Sequence, residues 1–176
     1  GDKPALEIGA PDRPVAAGKK ATIRLVYFEG HDKQSCPAIV CCGGRMDIHG
    51  APLSRAWVKL GADCRKGDAV VTLSEPVSGW RVGDQVIVTA TRLGRDNGQG
   101  TEKMETEERA IVAIDGDRLT LDAPLAHAHR GEGDFRGEVA NLSRNVVVES
   151  ADPNGVTGHT MYHRGSAGSI SYAEFR

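Results

Sequence analysis

The chain reads as an all-β protein: parallel β-helix coils with an inserted small antiparallel β-barrel. Two observations carry that expectation. Between Leu142 and Phe175, three strand-like runs (145–149, 159–163 and 169–175) are separated by the turn-rich segments 151–155 and 164–168, and Val146 and Ile170 begin equivalent runs, 170 − 146 = 24 positions apart. Further back, Asp115-Gly116-Asp117 sits between alternating segments 109–114 and 118–122, a strong short-range hairpin signal. A β-sandwich with long connections is the alternative. A coil cannot bury its own apolar face, so the chain is expected to be a fragment of a longer protein, with further β-helix coils as its first partner.

In chain order, Ala21 to Phe28 alternates like a half-buried strand, and Ala38 to Cys42 is a short apolar run expected to be fully buried. Gly43-Gly44 permits a sharp corner. Arg45 to His49 then alternates, with Met46 and Ile48 on one face and Arg45, Asp47 and His49 on the other. Residues 68–73 and 85–89 read as strands flanking a turn with Trp80. Residues 95–107 read as a polar surface loop. No segment has a helical apolar stripe; the nearest candidate is 101–109. The expected organisation is coils over 1–64, a barrel over 65–130 and coils again over 131–176.

Composition narrows the function. The 176 residues carry a net charge of −2 without a Lys/Arg block, against a nucleic-acid backbone binder. No apolar run reaches the roughly 18 residues of a membrane span. Aromatics are 5% of the chain, a scarcity that weakens the case for a neutral-sugar stacking platform. Cys36, Cys41, Cys42 and Cys64 lack zinc-site spacing; they are small buried hydrophobes or include one disulfide.

Arg136 and Glu138 share a face if extended, and Arg144 follows. An arginine beside a carboxylate can fork onto a uronate sugar, or form an ordinary ion pair locking the inserted barrel to the β-helix. Glu138 is a candidate general acid if burial raises its pKa. Asp47 and His49 are candidates for an oriented base, against a solvated or ion-paired face. His159 and His163 lie about 13 Å apart on a strand, too far to share one metal, and are coil-surface residues or sugar contacts. His127 and His129, two apart, are candidate ligands of a divalent cation, against solvated loop histidines. No other cofactor is expected.

Three segments carry a resemblance: 42–50 (CGGRMDIHG), 78–88 (SGWRVGDQVIV) and 136–146 (RGEVANLSRNV). Together, in this order, they resemble the family of secreted and cell-surface proteins with an eight-glycine (G8) domain followed by a right-handed parallel β-helix. Its animal members include the cell migration-inducing and hyaluronan-binding protein and transmembrane protein 2, with fibrocystin a relative. The chain looks closer to bacterial members. The resemblance implies an extracellular or cell-surface protein that binds, and in some members helps break down, an acidic uronate-containing polysaccharide such as hyaluronan. The alternative is a non-catalytic scaffold or adhesin module. The chain departs from the family before Ala5, where the first strands of the glycine-rich domain are missing, and at its end, before a His-rich coil. It is therefore expected to be inactive alone.

Overall fold

The computed structural model describes residues 4–92 and 105–176. These form fourteen strands and no helix: β1 Ala5–Ile8, β2 Ala21–Leu25, β3 Ala38–Cys41, β4 Arg45–His49, β5 Trp57–Lys59, β6 Val70–Thr72, β7 Gln85–Val88, β8 Glu107–Asp115, β9 Arg118–Leu121, β10 Glu138–Asn141, β11 Val146–Ser150, β12 His159–Tyr162, β13 Ala167–Ser171 and β14 Ala173–Phe175. No helix among the described residues is long and apolar enough to cross a membrane. The chain divides into two compact units, Gly1–Pro52 with Arg144–Arg176, and Leu53–Ser143.

The first unit is built from parallel sheets ordered β1-β4-β13, β14-β11-β2 and β12-β3. The order follows from three successive passes. The first pass gives β1, β2 and β3; the second gives β4, β11 and β12; the third gives β13 and β14, each laid beside its predecessor. Alternation sends Met46, Ile48, Val146 and Val148 inward, where with Cys41 they form a buried core.

Two expectations are corrected here. Residues 169–175 are not one strand. Tyr172, at φ +50°, breaks the run into β13, which pairs with β4, and β14, which pairs with β11. Val146 therefore pairs with Ala173, an offset of 173 − 146 = 27 rather than 24. The segment 38–42 is also not fully buried: Val40 is 47% exposed, because among the described residues β3 pairs with β12 alone and alternate side chains leave the core.

The second unit is one six-stranded antiparallel sheet ordered β5-β10-β7-β8-β9-β6. Its edges meet: Leu60 bridges Leu73, and the Gly61 and Ser74 N–H groups donate to the Thr72 and Lys59 carbonyls, each at 2.8 Å. Joining the edges leaves few unpaired backbone groups. Fourteen buried apolar residues, among them Leu60, Val71, Ile111, Leu119 and Val139, fill the interior, and Trp80 caps it with its Nε1–H on the Arg55 carbonyl at 2.8 Å. The hairpin β8–β9 turns at Gly116, whose φ of +61° favours glycine, and a bulge lies between Ile111 and Ala113. This unit begins at 53 and ends at 143, wider than the 65–130 expected, because β5 and β10 belong to its sheet. Of the two segments read as loop and as nearest helical candidate, positions 95–104 and 101–104 lie outside the described residues; Glu107 to Arg109 open β8.

Candidate functional site

On β4 the alternation that buries Met46 and Ile48 sends Arg45, Asp47 and His49 to the opposite face of the sheet. Asp47 and His49 are buried there, at 5% and 3% exposure, while Arg45 is exposed and ion-paired to Asp47. Register places Glu7, Asp47 and Ser169 in one row across β1, β4 and β13, with His49 beside Ser171 in the next. The side chains join accordingly. Ser169 donates to Asp47 Oδ1 from its N–H at 3.0 Å and its hydroxyl at 3.1 Å. Arg45 holds the same carboxylate through Nε and Nη2. His49 Nε2 lies 2.9 Å from Ser169 Oγ, and Nδ1 2.7 Å from Ser171 Oγ. Burial pushes the Asp47 carboxyl up, but the Arg45 and Ser169 hydrogen bonds outweigh it and hold it below the ordinary value. Glycine is required beside His49, since a Cβ at Gly50 would collide with the Tyr172 carbonyl.

The other sequence candidates fall in separate places. His129 is buried, with Nδ1 2.9 Å from the Thr89 carbonyl and Nε2 3.0 Å from Glu107 Oε1. His127 is in a bend, its ring 3.6 Å from Glu105. The two do not share a strand face as ligands would, and among the described residues no group of three or more His, Cys, Asp or Glu could hold a metal ion. Glu107 organises this corner. It accepts from the Ala126 N–H at 2.7 Å, the His127 N–H at 2.9 Å, His129 and Arg109. Burial pushes its carboxyl up, and these bonds with the Arg109 charge pull it down to about 2.

The Arg136–Glu138 ion pair does not form. Arg136 donates to the Leu60 carbonyl at 3.1 Å, and its buried Nε has no hydrogen-bond partner. Glu138 is half-buried on β10 opposite Lys59, its N–H donating to Thr89 Oγ1. These two residues lie in the antiparallel unit, whereas Asp47, His49, Arg144, His159 and His163 lie in the parallel one.

Within the parallel unit, the Arg144 N–H donates to Glu174 Oε2 at 3.2 Å. On the outer face of β2-β11-β14, Glu149 bridges Arg24 and Arg176, and Arg176 also pairs with Glu174. His159 is half-buried and, with Leu25, Glu149, Tyr162, Phe175 and Arg176, lines a cavity of about 500 Å³. His163 is exposed just beyond β12, its N–H on the Cys41 carbonyl. All four cysteines are free; Cys41 and Cys64 are buried, Cys36 is half-buried and Cys42 is exposed. Burial with the nearby Asp68 and Asp63 charges pushes the Cys64 thiol up to about 11.

Sequence reasoning missed Ser169, Ser171, Glu107 and Glu149. Only Ser169 and Ser171 left a signal, as two hydroxyls spaced by two on a strand.

No protein-family model matches the chain. It is 34% identical over 125 residues to a G8 domain-containing protein of Dictyostelium discoideum, covering 69% of this chain and 11% of that protein. Human Fibrocystin-L is 33% identical over 119 residues, covering 62% and 3%. Communication mutant protein F of Dictyostelium discoideum is 29% identical over 134 residues, covering 76% and 12%. The chain thus spans at most about an eighth of the length of these curated relatives. Among solved structures, the Pseudomonas phage phi297 tailspike gp61 is similar at a TM-score of 0.46 and 13% identity, covering 89% of this chain and 24% of that one. The gp54 tailspike of Acinetobacter baumannii bacteriophage AP22, in complex with a capsular saccharide, is similar at 0.41 and 11%, covering 90% and 29%. The sequence relatives are eukaryotic and lend no support to the expected bacterial kinship. The homologues of this chain are G8 domain-containing proteins and Fibrocystin-L, and they support the G8 family that its three glycine-bearing segments resemble.

Proposed function

We propose that this chain is a glycan-binding segment of a longer extracellular or surface protein, with the parallel unit forming part of a right-handed parallel β-helix and an acidic, uronate-containing polysaccharide as its ligand. The observation that carries the reading is the outer face of β2-β11-β14. Arg24 and Arg176 flank Glu149 there, their side chains 64% and 56% exposed, so each guanidinium keeps donors turned to solvent beyond its ion pair. A planar fork of this kind matches a carboxylate at two points. The same face argues for binding over cleavage: Glu149 and Glu174 are neutralised by arginine, whereas glycosidic hydrolysis asks for two carboxylates set across one bond. Further coils of the parent chain are the proposed partners at the ends of the parallel unit, supported by the exposure of Val40, Ile170 and Phe175 at 47%, 43% and 44%.

The test is titration with hyaluronan and other uronate polymers at low and high salt, with size analysis of the polymer afterwards. The expected result is weak binding that falls with salt, is lost in the Arg24→Ser, Arg176→Ser double variant, and leaves polymer length unchanged. Salt-insensitive binding that survives the double change would overturn the proposed face. Depolymerisation abolished by Glu138→Gln would replace binding with catalysis.

A further inference from the structure

With a neutral His49 ring, the hydrogen bonds around it have one consistent direction. The Asp47 carboxylate only accepts, so the Ser169 hydroxyl proton points to it across 3.1 Å. Ser169 Oγ, its proton committed, accepts from His49 Nε2–H at 2.9 Å. Nδ1 is then bare and accepts the Ser171 hydroxyl proton at 2.7 Å. The chain Ser171 → His49 → Ser169 → Asp47 thus places a basic imidazole nitrogen on the hydroxyl of Ser171, with the ring's other nitrogen held in place by a second hydroxyl anchored on a buried carboxylate.

Accessibility follows the same order. His49 and Asp47 lie on the central strand and are shielded, while half-buried Ser169 and Ser171 lie on β13, an edge of its sheet among the described residues. The residue after Ser171 is Tyr172, the one non-glycine residue with positive φ among the described residues, and such strain gathers at functional positions.

We infer that Ser171 is the nucleophile of an acyl-transfer site whose general base is His49, whose positioning residues are Ser169 and Asp47, and whose substrate class is a small carboxylic ester such as an O-acyl group. In the first step Ser171 Oγ bonds to the ester carbonyl carbon as its proton passes to His49 Nδ1. The carbon–oxygen bond to the alcohol breaks, and the departing oxygen takes that proton back. Water then repeats the sequence on the acyl-serine, releasing the acid and restoring the hydroxyl. The imidazolium that forms between these transfers keeps its Nε2–H on Ser169, facing the Asp47 charge.

The inference does not rest on glycan binding, and its test uses none. The full chain is treated with a fluorophosphonate probe and, separately, with p-nitrophenyl acetate, and the modified residue is located by mass spectrometry. Labelling at Ser171 in the folded chain, absent after denaturation, is the expected result. His49→Gln is expected to slow labelling and ester turnover by roughly 10²–10⁴-fold. Ser169→Ala is expected to slow both while sparing the labelling position, with recovery in Ser169→Thr; a merely structural row of hydroxyls would show no such recovery of rate. Unlabelled wild-type chain, or labelling that Ser171→Ala does not remove, overturns the assignment, and the wild-type arm decides even if a variant fails to fold.

Discussion

The two units solve the same problem, the satisfaction of strand edges and apolar faces, in different ways. The antiparallel unit brings its edges together through the Leu60–Leu73 bridge and buries fourteen apolar residues in one closed interior. The parallel unit stacks passes in one direction, gathers a core cluster of five buried apolar residues, and packs Ile23, Leu25, Ile39 and Ala173 only partly against them. Closure makes a sheet sufficient to itself, whereas stacking completes each pass only when another lies on it.

The sharpest way to break this comparison is to truncate one side chain in each interior. Ile111→Ala, in the closed unit at 1% exposure, should lower the unfolding free energy by about 2–5 kcal/mol, whereas Phe175→Ala, at 44% exposure, should cost about 1 kcal/mol or less. Urea denaturation followed by tryptophan fluorescence and far-ultraviolet circular dichroism reads both; equal costs would erase the distinction.

The second prediction tests the closed unit by acid. The Glu107 carboxyl lies at about 2 in the folded chain, below its ordinary value of 4.5. A depressed folded value means the stabilisation is fully present above about pH 4.5 and is lost as pH falls through 2. The loss is on the order of 3 kcal/mol, and Glu107→Gln should remove most of that pH dependence. A variant whose stability falls with acid as steeply as the wild type would show that Glu107 does not hold this corner.

A smaller effect is expected at the junction of the parallel passes. Asn145 accepts from the Ala51 N–H at 2.7 Å and donates to the Val15, Ala16 and Lys19 carbonyls at 3.1, 3.1 and 3.0 Å. Asn145→Ala should cost about 2 kcal/mol by leaving buried groups unpaired. It should also loosen the parallel unit selectively, seen as faster amide exchange in β2 and β11 with β8 and β9 unchanged.

What could be read from the sequence follows the range of the interactions. The β8–β9 hairpin was legible because Gly116 and the alternation on both sides are local. The inward direction of Met46 and Ile48 was legible from period two alone. The corner at Tyr172 was not, because tyrosine is no turn former and its positive φ is imposed by the pairing of β13 and β14 with different neighbours. Asp47 and His49 were legible as one chemically rich face, but their burial was not, since it depends on Ser169 and Ser171, 122 positions away in each case. His127 and His129 suggested ligands because Glu107, the partner that claims His129, is twenty-two positions removed.

The Asn145–Ala51 hydrogen bond also bears on the order of folding. Strand β2 must find β11 across a sequence separation that reaches 125 residues at the Arg24–Glu149 pair, a costly closure for an open chain. The segment from 53 to 143 lies within that separation and makes its own sheet from its own strands. If it folds first, the long excursion shrinks to a short staple between Ala51 and Asn145, and the parallel passes then assemble as though nearly contiguous. In that order of events the inserted unit would act as a kinetic spacer, shortening the effective loop that the β2–β11 pairing has to close.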